Sequence, residues 1–244
     1  LPLCRVLDMR SGVVFQPQAG KDASGFDAKD FETTKVNVFG PLARLHTGGL
    51  AAVTPRLLSN SEIKSREPCD GGSYSYQNVN TAILGAVLER AYAQPLEQIL
   101  SEKLWAPANA SDAEWRRYDE ALPVTPYCCL YARPIDWLRV AQYLANNGTA
   151  DAPFLPQNVW QQFMGENLAN EDLSKGGYAN QVYFNILDRP GEALSGRFAY
   201  FMGSRGQTTY LMPDKKLVVV RFGGQIQRLH SLLYGVARSL PQQP

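Results

Sequence analysis

From residue 80 onward, apolar positions fall at helical spacing. Ile83, Leu84, Val87, Leu88 and Ala91 form one stripe, with Asn80 or Thr81 placed to cap it. Pro95 opens a second helix carrying Leu96, Ile99, Leu100 and Leu104, since proline fits the first helical position. Pro134 opens a third, with Trp137, Val140, Ala141 and Leu144 on one face and Asn147-Gly148 as its stop. Pro156 opens a fourth through Trp160 and Phe163. After Gly176-Gly177 the period shortens to that of strands. Residues 178–187 alternate and are aromatic, and 197–202, 207–212 and 217–222 are short β-rich runs. Pro213–Lys216 reads as a hairpin turn. Leu217–Val220 is apolar throughout, which predicts a central strand covered on both faces. A last helix over 225–239 aligns Ile226, Leu229, Leu232, Leu233 and Val236.

Ahead of residue 80 the pattern is weaker. Residues 1–15 hold a short helix with Val6, Leu7 and Met9 apolar, stopped by Ser11-Gly12. Residues 16–70 are rich in Gly, Pro, Asp and Lys and predict a long irregular excursion with short helical turns. A loop of that length is usually functional or poorly ordered. The expected organisation is a helical region over 1–175, then an antiparallel sheet with a closing helix over 176–244, an α+β arrangement.

The 244 residues are 45% hydrophobic, enough to build a core, and the formal charge of +1 gives no electrostatic case for nucleic acid or an anionic membrane. No apolar run approaches the roughly 18–20 residues of a membrane span. A start at Leu1 rather than Met suggests a chain processed, trimmed or cut from something longer. Compartment and oligomeric state have no marker. Four cysteines are too few for a disulfide scaffold at this length, and adjacent Cys128-Cys129 lacks zinc-knuckle spacing. They are expected to be buried thiols. No metal or other cofactor is implied.

Candidate chemistry is sparse. Only His46 and His230 are available for a Ser-His-Asp triad. His230 reads as a partly exposed residue of the last helix. Gly203-Ser204-Arg205-Gly206 lacks the Gly-x-Ser-x-Gly spacing of a nucleophile elbow and precedes a strand. The single Ser-x-x-Lys, Ser61-Glu62-Ile63-Lys64, is followed by Pro68 and has little apolar cover, so it reads as surface loop. The stretch GGSYSYQNVNTAILGAVLER (71–90) sets a polar Tyr76-Gln77-Asn78 at the mouth of an apolar helix.

Several segments, in order, resemble the serine β-lactamase-related hydrolases: class C β-lactamases, DD-peptidases, and the 6-aminohexanoate-dimer hydrolase and carboxylesterase branch. RVLDMRSGVVF (5–15) is similar to the segment after that family's nucleophile helix. Residues 66–110 resemble its Tyr-containing second motif and the helices behind it. CCLYARPIDWLRVAQYLANNG (128–148) resembles a further helix, and FMGSRGQTTYLMPDKKLVVVRFG (201–223) its third-motif strand and hairpin.

The resemblance implies a β-lactamase/transpeptidase-like fold whose first strands and nucleophile helix precede Leu1. It implies an acyl-enzyme hydrolase of a small ester or amide, with Ser-x-x-Lys upstream. Tyr76 would move the proton and Asn78 would orient substrate. Ser204-Arg205-Gly206 falls on the third motif, with the usual lysine replaced, and the Gln207 N–H would serve an oxyanion hole. Arg205 would bind a substrate carboxylate or form a surface ion pair. The alternative is a non-catalytic binding or interaction protein of the same fold. A third reading uses Ser61 and Lys64 themselves.

Overall fold

The computed structural model describes residues 2–15, 41–54, 57–59, 69, 72–169, 176–187, 196–223 and 230–239. The chain divides into two compact units: Leu1–Ile99 with Glu114–Tyr131, and Leu100–Ala113 with Ala132–Pro244.

The first unit joins short elements from distant parts of the chain. Helix α1 (Leu3–Leu7) leads into strand β1 (Val13–Phe15). Helix α2 (Pro41–Val53) is broken at Gly49, which takes φ +63°. Strand β2 (Leu57–Ser59) pairs antiparallel with β1, Val13 opposite Ser59. Thus part of the stretch expected to be irregular is a helix and a strand; residues 16–40 and 60–68, with Ser61 and Lys64, lie outside the described residues. Helix α3 (Asn78–Tyr92) and helix α4 (Leu96–Leu100) follow, and strands β3 (Glu114–Trp115) and β4 (Leu130–Tyr131) pair antiparallel. Val13, Leu45, Val53, Val79 and Ala82 form one core, and Leu96, Ile99 and Val124 with Trp115 form another.

Helix α3 differs from its expected orientation. Its N-cap is Gln77, and it buries Val79, Asn80, Ala82 and Gly85, while Val87 and Leu88 are each 41% exposed. The reason is at Gly85, where a Cβ would lie 2.9 Å from Pro126 Cγ and 3.3 Å from Leu96 Cδ2. Close approach selects the small-residue side, so Val87 and Leu88 face outward while Ile83 stays packed against the core of Val13, Leu45, Val79 and Ala82.

The cysteines also depart from expectation. Cys4 bonds to Cys69, with Cα atoms 5.4 Å apart, and Cys128 bonds to Cys129. Sequence spacing carries no pairing information for partners 65 residues apart.

In the second unit, a single π-helical turn (Ser101–Trp105) precedes helix α5 (Pro134–Ala145) and helix α6 (Gln157–Phe163), both opened by proline as expected. Strands β5 (Gly177–Ala179), β6 (Val182–Leu187), β7 (Gly196–Met202), β8 (Thr208–Met212) and β9 (Leu217–Arg221) form a five-stranded antiparallel meander in chain order. The run 178–187 is therefore two strands. Asn180 (φ +53°) and Gln181 (φ +66°) make a two-residue turn of the left-handed kind that matches strand twist.

The sheet is covered on both faces. Val182, Phe184, Ala199 and Leu211 pack with Ala141, Ala145 and Met164 on one side, joined by Val218 and Val220. Leu187, Phe198, Tyr200, Tyr210 and Met212 pack with Leu233 of helix α7 (Ser231–Ser239) on the other, joined by Leu217 and Val219. The alternation along each strand is the two-residue period of the pleat. β9 is covered on both faces as its apolar run implied, yet it is the edge, not the centre, of the described sheet. An apolar run reports coverage of faces and says nothing of the number of strand neighbours. Among the described residues no helix is long and apolar enough to cross a membrane.

Candidate functional site

The Tyr-x-Asn segment runs without regular structure into helix α3. Gln77, the N-cap, is extended (φ −138°, ψ 119°), and Asn78 is the first helical residue. Tyr76 is 47% exposed, and Asn78 is half-buried. The segment is pinned to residues 9–11. Ser75 N donates to Met9 O at 2.9 Å, and Arg10 Nη1 donates to Gly72 O at 3.0 Å. The buried Ser11 hydroxyl donates to Asn80 Oδ1 at 2.6 Å, and Asn80 Nδ2 donates to Met9 Sδ at 3.3 Å. Ser11 Oγ also accepts from Val13 N at 3.1 Å. Buried polar groups hold geometry when each finds its partner. Here they fix the start of a rigid helix, with Tyr76 presented just ahead of it.

Asn80 is thus an anchor, not the helix cap. The signal for it in the sequence is a polar residue between Val79 and Ala82 on the face that turns inward.

In the second unit, Ser204–Gly206 is a single 3₁₀ turn between β7 and β8. Gly206 takes φ +83°, which a side chain would resist. Gly203 N donates to Gln207 O at 2.8 Å. Both ends of the Gln207 amide are engaged: Nε2 donates to Gly223 O, and Oε1 accepts from Gly223 N, each at 3.0 Å. Gly206 O accepts from Arg221 Nη1 and, at 3.3 Å, from the Thr208 hydroxyl. The turn is therefore held against the far end of β9. The Arg205 side chain lies outside the described residues. Tyr76 and Asn78 belong to the first unit, and Ser204, Arg205, Gly206 and Gln207 to the second.

Both histidines differ from a catalytic pair. His46 lies on α2, its ring centroid 5.1 Å from that of Tyr127; burial, then the Arg116 charge, lowers its pKa. These two side chains line an open groove with Leu45, Ala82, Leu96 and Val124. The Tyr127 hydroxyl is buried without a hydrogen-bond partner among the described residues, and burial raises its pKa.

His230 precedes helix α7 and is 8% exposed, contrary to the expected helix-surface position. It packs edge-on against Phe198 and Tyr200, centroids 4.9 and 4.8 Å away. Its Nδ1 is 3.4 Å from Tyr210 Oη and its Nε2 3.4 Å from Asn185 Nδ2. Burial pushes its pKa down to about 4. The helical period misplaced it because its φ of +64° breaks the helix before residue 231.

Asp136, fully buried in the first turn of α5, is a charge held by several partners. It accepts from Arg133 Nε at 2.7 Å, Ser111 N at 3.0 Å and Arg139 Nη1 at 3.0 Å. The hydrogen bonds from Arg133 and Ser111, with both guanidinium charges, outweigh burial and hold its pKa down to about 2. Among the described residues no group of His, Cys, Asp or Glu side chains is arranged to hold a metal.

The beta-lactamase family model matches residues 5–223. The chain belongs to that family. No curated protein matches it significantly. Among solved structures it is similar to a Bacillus anthracis protein assigned as a 6-aminohexanoate-dimer hydrolase, at 20% identity and a TM-score of 0.67, covering 96% of this chain and 59% of that one. It is also similar to a penicillin binding protein from Bacillus halodurans, at 15% identity and a TM-score of 0.59, over 97% of this chain and 73% of that one. EstCE1, a hydrolase with promiscuous acyltransferase activity, matches at 12% identity and a TM-score of 0.57, over 96% of this chain and 69% of that one. These likenesses establish a β-lactamase-type fold. The chain spans 59% of the length of the Bacillus anthracis protein.

Proposed function

We propose that the chain is part of a serine hydrolase that cleaves a small ester or amide through an acyl-enzyme. The observation that carries this reading is the pinning of the Tyr76 segment. Two segments that resemble family motifs, 5–15 and 72–80, are tied together by Ser11, Asn80, Met9 and Ser75. A general base must be held within hydrogen-bond reach of the proton it takes, and a fixed platform serves that need. In this reading Tyr76 moves the proton between the nucleophile and the leaving group, and Asn78 orients the substrate amide. The Gln207 backbone N–H serves the oxyanion, on a turn that its own side chain locks to Gly223. The attacking serine belongs to a Ser-x-x-Lys upstream of residues 5–15 in the natural polypeptide. Replacement of the third-motif lysine by Ser204 favours a small ester or amide over a β-lactam.

The test is a fluorophosphonate probe read by intact mass, applied to the 244-residue chain and to the natural polypeptide. The expected result is one serine adduct in the natural polypeptide and none in the 244-residue chain. Tyr76→Phe should slow labelling by about 100-fold or more. No adduct in either would support a non-catalytic binding protein. An adduct on Ser61 would place the nucleophile in residues 61–64.

A further inference from the structure

We infer that Cys128–Cys129 is a reversible redox site for small dithiols, and that its state sets the conformation of the groove wall 122–127. The two disulfides of the first unit differ in what they close. Cys4–Cys69 joins residues 65 apart, whereas Cys128–Cys129 joins neighbours. A cross-link stabilises a fold mainly by restricting the unfolded chain, and a bond between neighbours restricts almost nothing. By reciprocity, the fold protects Cys4–Cys69 and gives no such protection to Cys128–Cys129. Cys4, Cys128 and Cys129 are half-buried and Cys69 is exposed, so a small reductant reaches both bonds and the order of opening rests on the span each bond closes. Cys129 also holds a φ of +71°, in the left-handed region that a non-glycine residue adopts only when its surroundings impose it.

The pair sits where a change would be transmitted. Trp115 Nε1 donates to both Thr125 O and Cys128 O at 2.9 Å, and Cys128 N donates to Thr125 O at 3.2 Å. Arg116 N donates to Cys129 O at 2.9 Å. Residues 122–127, immediately before the pair, form one wall of the groove that His46 and Leu45 face. Opening the ring releases Cys129 from its left-handed conformation and shifts the carbonyls that Trp115 and Arg116 hold.

The chemistry balances with a dithiol alone. One reductant thiolate attacks a sulfur of the pair, forming a mixed disulfide and expelling the other sulfur as a thiolate. The second reductant thiol then attacks the mixed disulfide. The reductant leaves as a cyclic disulfide, two electrons pass to the protein, and two protons end on Cys128 and Cys129. A low-molecular-weight disulfide reverses the exchange.

The experiment is a titration of the folded 244-residue chain with dithiothreitol in a redox buffer. Differential alkylation with peptide mass mapping would follow each bond, and hydrogen exchange would follow residues 122–127. Trp115 emission would be isolated by comparison with Trp115→Phe. The expected result is two labels on the Cys128–Cys129 peptide before any on Cys4 or Cys69. Faster exchange at 122–127 and a change in Trp115 emission should accompany them, all reversed by oxidised glutathione. Cys128→Ser/Cys129→Ser should show the reduced-state emission and ignore dithiothreitol; should it fail to fold, the wild-type titration decides. The inference is overturned if the air-exposed protein already carries two free thiols at 128 and 129. It is equally overturned if Cys4–Cys69 opens first, or if labelling at 128 and 129 leaves exchange and emission unchanged.

Discussion

The two units are held together over different distances along the chain. In the second unit each strand pairs with the next in sequence, and apolar side chains close both faces of the sheet. In the first unit the decisive links are long: Ser11 to Asn80, 69 residues apart, and Cys4 to Cys69, 65 apart. Local hairpins need little loop closure. Long links pay that entropy in full and must recover it from a few strong contacts. The sheet is therefore a distributed structure, and the platform under Tyr76 is a concentrated one, resting on a buried hydrogen-bonded pair and a disulfide.

The largest effect should come from the sheet. Phe184 is 1% exposed and lies at the centre of one sheet face. Phe184→Ala should cost about 3–5 kcal/mol in urea unfolding. A loss below about 1 kcal/mol would mean that the sheet core does not carry the second unit. Next is the long covalent link: Cys4→Ser/Cys69→Ser should cost about 2–4 kcal/mol, by the chain-entropy argument. An unchanged denaturation midpoint would remove the distinction between the units.

The buried polar pair should matter somewhat less. Asn80→Ala strands the Ser11 hydroxyl and should cost about 1–3 kcal/mol. A cycle with Ser11→Ala should return a coupling energy of about 0.5–3 kcal/mol, and additive losses would show that the two side chains act independently.

The effects of pH separate two designs within the second unit. The folded pKa of His230 is lowered from 6.5 to about 4, so between those values the unfolded chain binds a proton that the folded one refuses. Stability should fall as pH drops from about 6.5 to about 4, and His230→Phe should flatten that slope. The folded pKa of Asp136 is lowered from 3.8 to about 2, so its contribution is complete above about 4 and disappears between about 4 and 2. Arg133→Ala should weaken this second slope and leave the first. Denaturant midpoints measured across pH would reveal either failure.

Legibility in the sequence follows the same division. The proline-opened helices at 134 and 156 and the strands near 197–202, 208–212 and 217–221 match their expected places within a residue or so. Periodicity and turn chemistry are local, and so are these elements. The turn at Asn180-Gln181 escaped because alternation runs unbroken across it. The segment Tyr76-Gln77-Asn78 was legible as a polar stretch at the mouth of an apolar helix. Its anchor was not, since nothing near Asn80 in the sequence points to Ser11.

By itself the sequence determined the α+β class, most of the second unit and the family resemblance, because each depends on patterns only a few residues long. Tertiary structure alone decided which face of α3 turns inward, where the cysteines pair, that His230 is buried, and that Ser11 holds Asn80. Those outcomes depend on which distant residue arrives opposite: a glycine that admits Pro126, a cysteine 65 positions away, an aromatic cage drawn from separate strands. Contact across long separations is settled by packing and loop closure, and neither leaves a local period to read.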